Sequence, residues 1–153
     1  MRWIHRATIT VFAKPEEDAE AMKQGIISLV PFNLEEAKVK LGVQNAEGFG
    51  ERIIKIFTIV LIKEAHTNDF LQFLLNKLSE EQKRLLVSQA ESRLDKEFDF
   101  FIRIEKDRWV KEREIWLTDS GNCFHIKLSL AVFPKKHELA LRLIDKLFTQ
   151  KNI

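Results

Sequence analysis

The sequence predicts an α+β fold in which helices pack on one face of a largely antiparallel sheet, all within one domain spanning residues 1–153. Three observations lead there. Apolar and polar side chains alternate over 3–12, 98–104 and 124–132, as half-buried strands require. Helical spacing with acidic or capped starts marks the segments between them. The turn Asp119-Ser120-Gly121-Asn122 joins the last two strands as a hairpin, with its glycine supplying a positive φ.

In chain order, the first strand covers 3–12, with His5, Ala7, Ile9 and Val11 on one side and Arg6, Thr8, Thr10 and Phe12 on the other. Pro15 then sits at a first helical position, followed by Glu16, Glu17 and Asp18, which suit the positive end of a helix dipole, and this helix runs to Leu29 before Pro31. Asn33 caps a short second helix over 33–40, and GVQNAEGFGE reads as turn-rich. The β-branched run 53–63 reads as a central strand buried on both faces. Asn68 caps a helix carrying Phe70, Leu71, Leu74, Leu75 and Leu78, and Ser79-Glu80-Glu81-Gln82 is a capping box for another that runs to Leu94. Phe98, Phe100, Ile102 and Ile104 form the core side of the next strand, and a short helical or irregular connection carries Lys106, Arg108 and Trp109. A short strand over 114–117 precedes the hairpin turn. The last strand turns Phe124, Ile126, Leu128, Leu130 and Val132 inward and His125, Lys127, Ser129 and Ala131 outward, and an amphipathic helix over 136–150 follows Pro134.

Composition narrows the function. With 45% hydrophobic and 31% charged residues, five Gly and three Pro, 153 residues bury a core without a metal or disulfide framework. A net charge of +2 is too small for indiscriminate coating of nucleic acid, so an anionic partner must meet a local patch. One cysteine, Cys123, suits a reducing cytoplasm. MRWIHRATIT lacks an apolar signal core and the run 53–62 is too short to span a bilayer, so a cytoplasmic protein without membrane association is expected.

The candidate site is a basic and aromatic set: Phe101, Arg103, His125 and Lys127 on the outward sheet face, flanked by Arg6, Lys106, Arg108 and Trp109. Aromatic faces stack on unpaired bases while cations hold phosphates, which is how several sheet modules bind RNA. The same side chains also suit a solvated strand face, and Trp109 suits a core lid. Lys135, Lys136 and His137 open the last helix, where an anion would offset the unfavourable placing of cations at a helix start. Cys123 and His125 share a strand face, but a metal site needs further ligands and no other histidine has ligand spacing. Asp119, Ser120 and His125 lack a nucleophile elbow, and the acidic pairs Glu16-Glu17 and Glu80-Glu81 are explained by helix starts. A noncatalytic protein without cofactor or metal is expected.

The segment FFIRIEKDRWVKEREIWLTDSGNCFHIKLSLAVFPKKHELAL is similar to the C-terminal signature of an archaeal family of predicted RNA-binding proteins, also described as predicted exosome subunits. RATITVFAKPEEDAEAMKQGIISLVP resembles that family's start. The resemblance implies an antiparallel sheet backed by helices, like the large-subunit ribosomal protein that binds five-S rRNA. It also implies RNA association near the exosome or the ribosome, with no established catalysis. Its signature positions are Arg103, Lys106, Trp109, Asp119, Ser120, Gly121, His125, Lys127, Pro134 and Lys135, of which Arg103, Lys106, His125, Lys127 and Lys135 are the expected RNA contacts. The competing reading is a protein–protein adaptor or homo-oligomer that docks through the open sheet face or an edge, with Phe12, Phe101 and Trp109 as hydrophobic contacts.

Overall fold

A computed structural model describes residues 1–48, 50 and 52–153. Its elements are β1 (Ile4–Ala13), α1 (Ala19–Ser28), β2 (Leu41–Glu47), β3 (Ile53–Leu61), α2 (Glu64–Lys77), α3 (Glu80–Ser88), α4 (Ala90–Arg93), β4 (Asp99–Glu105), α5 (Lys106–Glu112), β5 (Cys123–Leu130) and α6 (His137–Thr149). The strands form one antiparallel sheet in the order β2-β3-β1-β5-β4. The expected α+β class holds. Among the described residues no helix is long and apolar enough to cross a membrane.

The chain divides into two compact units, one of residues 1–7, 61–102 and 127–153, the other of 8–60 and 103–126. In the first, Ile4 and Ala7 are buried while His5 and Arg6 between them are both exposed. The alternation therefore slips by one residue, and His5 leaves the core side expected for it. α2 begins at Glu64, four residues before the expected cap, so Asn68 lies inside the helix with its Oδ1 buried and unpartnered. The capping box forms as expected: Gln82 N–H donates to Ser79 Oγ at 3.1 Å, and Ser79 N–H to Gln82 Oε1 at 2.9 Å. The helix it opens ends at Ser88, and the separate turn α4 follows. Phe98 was expected on the core face of a strand. It instead precedes β4 with φ of 64°. Phe148 of α6 packs on Phe100 of β4 with ring centroids 5.8 Å apart, which places this helix on the face that Phe100, Ile102, Leu128 and Leu130 bury.

In the second unit, Asp18 rather than Pro15 starts α1, its carboxylate accepting from Ala21 N–H at 3.1 Å. The expected helix over 33–40 is a single turn: Asn33 Oδ1 accepts from Glu36 N–H at 2.9 Å, and Lys38, with φ of 58°, ends it. The stretch expected as turns contains β2, which pairs antiparallel with β3 from Leu41 opposite Ile59 to Glu47 opposite Ile53. That pairing overrides the low strand propensity of Gly42 and Asn45; Phe49 and Glu51 of the same stretch lie outside the described residues. β3 is not buried on both faces. Phe57 and Ile59 are enclosed, but Val60 is exposed on the second face, which carries no helix, and Ile53 is exposed at the strand's start although it shares the face of Phe57 and Ile59. On β5, Phe124 faces α1, where a Cβ added at Gly25 would lie 2.6 Å from the Phe124 ring tip.

Candidate nucleic-acid interface

Strand periodicity decides which side chains can meet on the helix-free face. In the second unit the outward positions are Thr8, Thr10 and Phe12 on β1, Arg103 and Glu105 on β4, and Cys123 and His125 on β5. Thr10, Phe12, Arg103, Cys123 and His125, with Gly121 from the preceding turn, line a hollow of about 280 Å3. Phe12 is 49% exposed, so an aromatic surface is available at its rim. Arg103 is steadied by one hydrogen bond, Nη1 donating to Asp119 O at 2.8 Å. A guanidinium has five N–H donors, so the rest of the fork can meet an anion.

The turn beside this hollow is built by hydroxyls: Ser120 N–H donates to Thr118 Oγ1 and Asn122 N–H to Ser120 Oγ, each at 3.1 Å. The positive φ expected at Gly121 is absent; among the described residues Gly50 is the glycine that has one. Ser120 is a turn former. Burial pushes the Cys123 thiol up, with Arg103 and Lys106 opposing the shift, so the sulfur is a neutral hydrogen-bonding wall rather than a nucleophile. Cys123 and His125 do share a face. Among the described residues, however, the metal-capable trio within mutual reach is Asp95, Glu97 and Asp99.

Two residues of the expected candidate site, Lys106 and Trp109, are structural instead. Lys106 is 4% exposed, and its ammonium donates to Phe12 O at 2.7 Å, Asn122 Oδ1 at 2.6 Å and the Glu17 carboxylate at 2.9 Å. Three acceptors satisfy its three donors, which leaves nothing for a phosphate. Trp109 is 1% exposed and donates its indole N–H to Gly25 O at 2.8 Å, so it belongs to the core and serves neither as a base platform nor as a docking aromatic. Arg108 remains at the surface, paired with Glu112 at 3.3 Å and lying 4.4 Å from the ring centroid of Trp116. Trp116 is 47% exposed and was not singled out from the sequence. The strand expected over 114–117 is reduced to a single bridge of Leu117 to Ile104 on β4, so the expected hairpin with the last strand does not form. The alternation that buries Ile115 turns Trp116 outward.

In the first unit, Phe101 and Lys127 are half-buried at outward strand positions, with Phe101 O accepting from Arg93 Nη1 at 3.2 Å. Lys135 lines a second hollow with His5, Lys96, Glu97, Asp99 and Ser129. Phe133, two residues earlier and unremarked in the sequence, is 95% exposed. His137 pairs with Glu91 at 2.8 Å. Of the expected contacts, Arg103 and His125 thus meet in one hollow and Lys135 lines another.

A family model described as RNA binding matches residues 6–130. An RNA-binding protein of Pyrococcus abyssi is 24% identical over 140 residues, covering 92% of this chain and 90% of that protein. Among solved structures, a DUF54 protein of Archaeoglobus fulgidus is similar with a TM-score of 0.79 and 25% identity, covering 95% of this chain and 98% of that one. A DUF54 protein of Methanothermobacter thermautotrophicus has a TM-score of 0.76 at 19% identity, with the same two coverages. The family model spans most of both compact units, and the relatives cover nearly all of the chain, as the resemblance of its two ends to an archaeal RNA-binding family implied. The chain belongs to the RNA-binding family that this model describes.

Proposed function

We propose that the chain is a noncatalytic RNA-binding protein and that the hollow of Thr10, Phe12, Arg103, Gly121, Cys123 and His125 holds one unpaired nucleotide. The observation that carries this is the meeting of Arg103, His125 and a half-exposed Phe12 at a concave site on the helix-free face of a member of the RNA-binding family. A volume of about 280 Å3 is at the small end of ligand pockets, suited to a single base and sugar. Phe12 supplies a stacking face, Arg103 a phosphate contact, and Thr10 and His125 polar atoms for a base edge. A paired base cannot enter, so single-stranded or looped RNA is the substrate. Lys127 and Lys135 add phosphate contacts away from the hollow.

In this reading residues 1–153 act as a single cytoplasmic domain with one cooperative unfolding transition. Association with RNA processing, the exosome or the ribosome belongs to the same proposal and is tested by co-purification of those complexes from an archaeal lysate. The RNA reading itself is tested by fluorescence anisotropy with a labelled single-stranded RNA over a salt series. Phe12→Ala should weaken binding by about 5- to 100-fold, the stacking energy of one base. Arg103→Ala should also flatten the salt dependence by about one phosphate contact. Unchanged affinity in both variants would remove the hollow from the reading, and a wild-type chain that binds no RNA at low salt would end it.

A further inference from the structure

The nucleotide hollow takes its lining from three separate stretches of chain: Thr10 and Phe12 from β1, Arg103 from β4, and Gly121, Cys123 and His125 from the last turn and β5. One side chain ties all three together. Lys106 directly follows β4, three residues after Arg103, and its ammonium donates to Phe12 O at 2.7 Å and to Asn122 Oδ1, between Gly121 and Cys123 in the chain, at 2.6 Å. The third donor goes to the Glu17 carboxylate at 2.9 Å, whose Oε1 also accepts from Lys14 N–H at 3.0 Å, two residues beyond Phe12. The chain leaving β1 is thus held at two points. Asn122 is itself an exposed turn residue, yet its amide oxygen meets a lysine that is 4% exposed.

Stability alone is a poor reason for this arrangement. Enclosing an ion pair costs desolvation that its own attraction offsets only in part, and an apolar pair of similar volume often serves a core as well or better. An apolar pair cannot, however, bond a strand carbonyl and a turn amide at once. We infer that Lys106 is a positioning residue for RNA: it fixes the rim at Phe12 relative to the turn at Gly121, so the hollow is formed before a nucleotide enters. A site ordered in advance binds more tightly, because the ordering is not charged against the complex. The inference rests on the RNA reading of this hollow and adds a residue that acts on it without touching the ligand.

The test is anisotropy with a labelled single-stranded RNA over a salt series, each protein being measured well below its own Tm. Lys106→Met with Glu17→Leu removes both charges together and leaves no orphaned ion, while Asn122→Ala keeps the ion pair and cuts only the tie to the turn. Both should bind RNA severalfold more weakly than wild type, with the wild-type salt slope. Adding the Lys106 and Glu17 changes to Phe12→Ala should cost distinctly less affinity than adding them to wild type, because the tie acts in part through Phe12. Wild-type affinity in the folded Lys106 and Glu17 variant, or in Asn122→Ala, would overturn the inference and leave Lys106 a purely structural residue. So would strictly additive losses, or a slope lowered by about one contact, which would put the ammonium on a phosphate. Any of these, with Phe12→Ala still weakened, ends this inference alone. A wild type that binds no RNA, or a Phe12→Ala variant that binds like wild type, ends the RNA reading of the hollow and this inference with it.

Discussion

Replacing Lys106 with Ala separates the two roles this residue could have. Its side chain is 5% exposed and that of Glu17 is 19% exposed. Removing the ammonium leaves a largely enclosed carboxylate unpaired and takes the donor from Phe12 O and Asn122 Oδ1. Breaking a buried pair from one side costs about 3–5 kcal/mol, and the partial exposure of Glu17 favours the lower end, about 3 kcal/mol. For a chain of this length each kcal/mol lowers Tm by about 2–4 °C, so thermal unfolding followed by circular dichroism should show a drop of about 6–12 °C. Lys106→Ala together with Glu17→Leu should recover part of that loss, because an apolar pair leaves no orphaned charge. RNA binding measured well below the new Tm should keep its salt slope. If Lys106 contacted a phosphate, the pattern would invert, with Tm nearly unchanged and the slope reduced by about one contact. That result would refute the structural role.

Trp109→Ala should destabilise the protein by about 3–5 kcal/mol in denaturant titration, because a fully buried indole and its bond to Gly25 O are lost together. Gly25→Ala should cost about 1–3 kcal/mol in the same assay, since its methyl would meet the Phe124 ring at 2.6 Å and neither α1 nor the ring has free space. Cys123 should react slowly with a thiol reagent at neutral pH, because burial holds its pKa above the usual thiol range. Denaturant should bring its rate to that of a free cysteine; fast reaction in the native state would place the thiol at the surface.

What was legible in the sequence was whatever strand periodicity controls. Alternation over 124–130 put His125 outward and Phe124 inward correctly, and the same period two brought Arg103 into the same hollow. The capping box at Ser79 was legible because both of its hydrogen bonds lie within three residues. Lys106 was misread because its partners are distant in sequence: Phe12 is 94 positions away and Glu17 is 89. A lysine beside an arginine and a tryptophan looks like a phosphate contact until the chain folds those acceptors around it. β2 was missed because Gly42, Asn45 and Gly48 carry turn chemistry, and only the register with β3 makes a strand of them. Trp109 and Trp116 exchanged roles for a similar reason. Seven positions apart in sequence, one is set by α5 against Gly25 and the other is turned out by the bridge at Leu117.

The most direct measurement of the RNA-binding claim is an NMR titration of the chain with a short single-stranded RNA, reading backbone and side-chain shifts residue by residue. The expected result is a set of progressive shifts at Thr10, Phe12, Arg103, Gly121, Cys123 and His125, the residues that line the hollow, with little change in α3 and α6. Shifts confined to those helices, with the hollow silent, would contradict it.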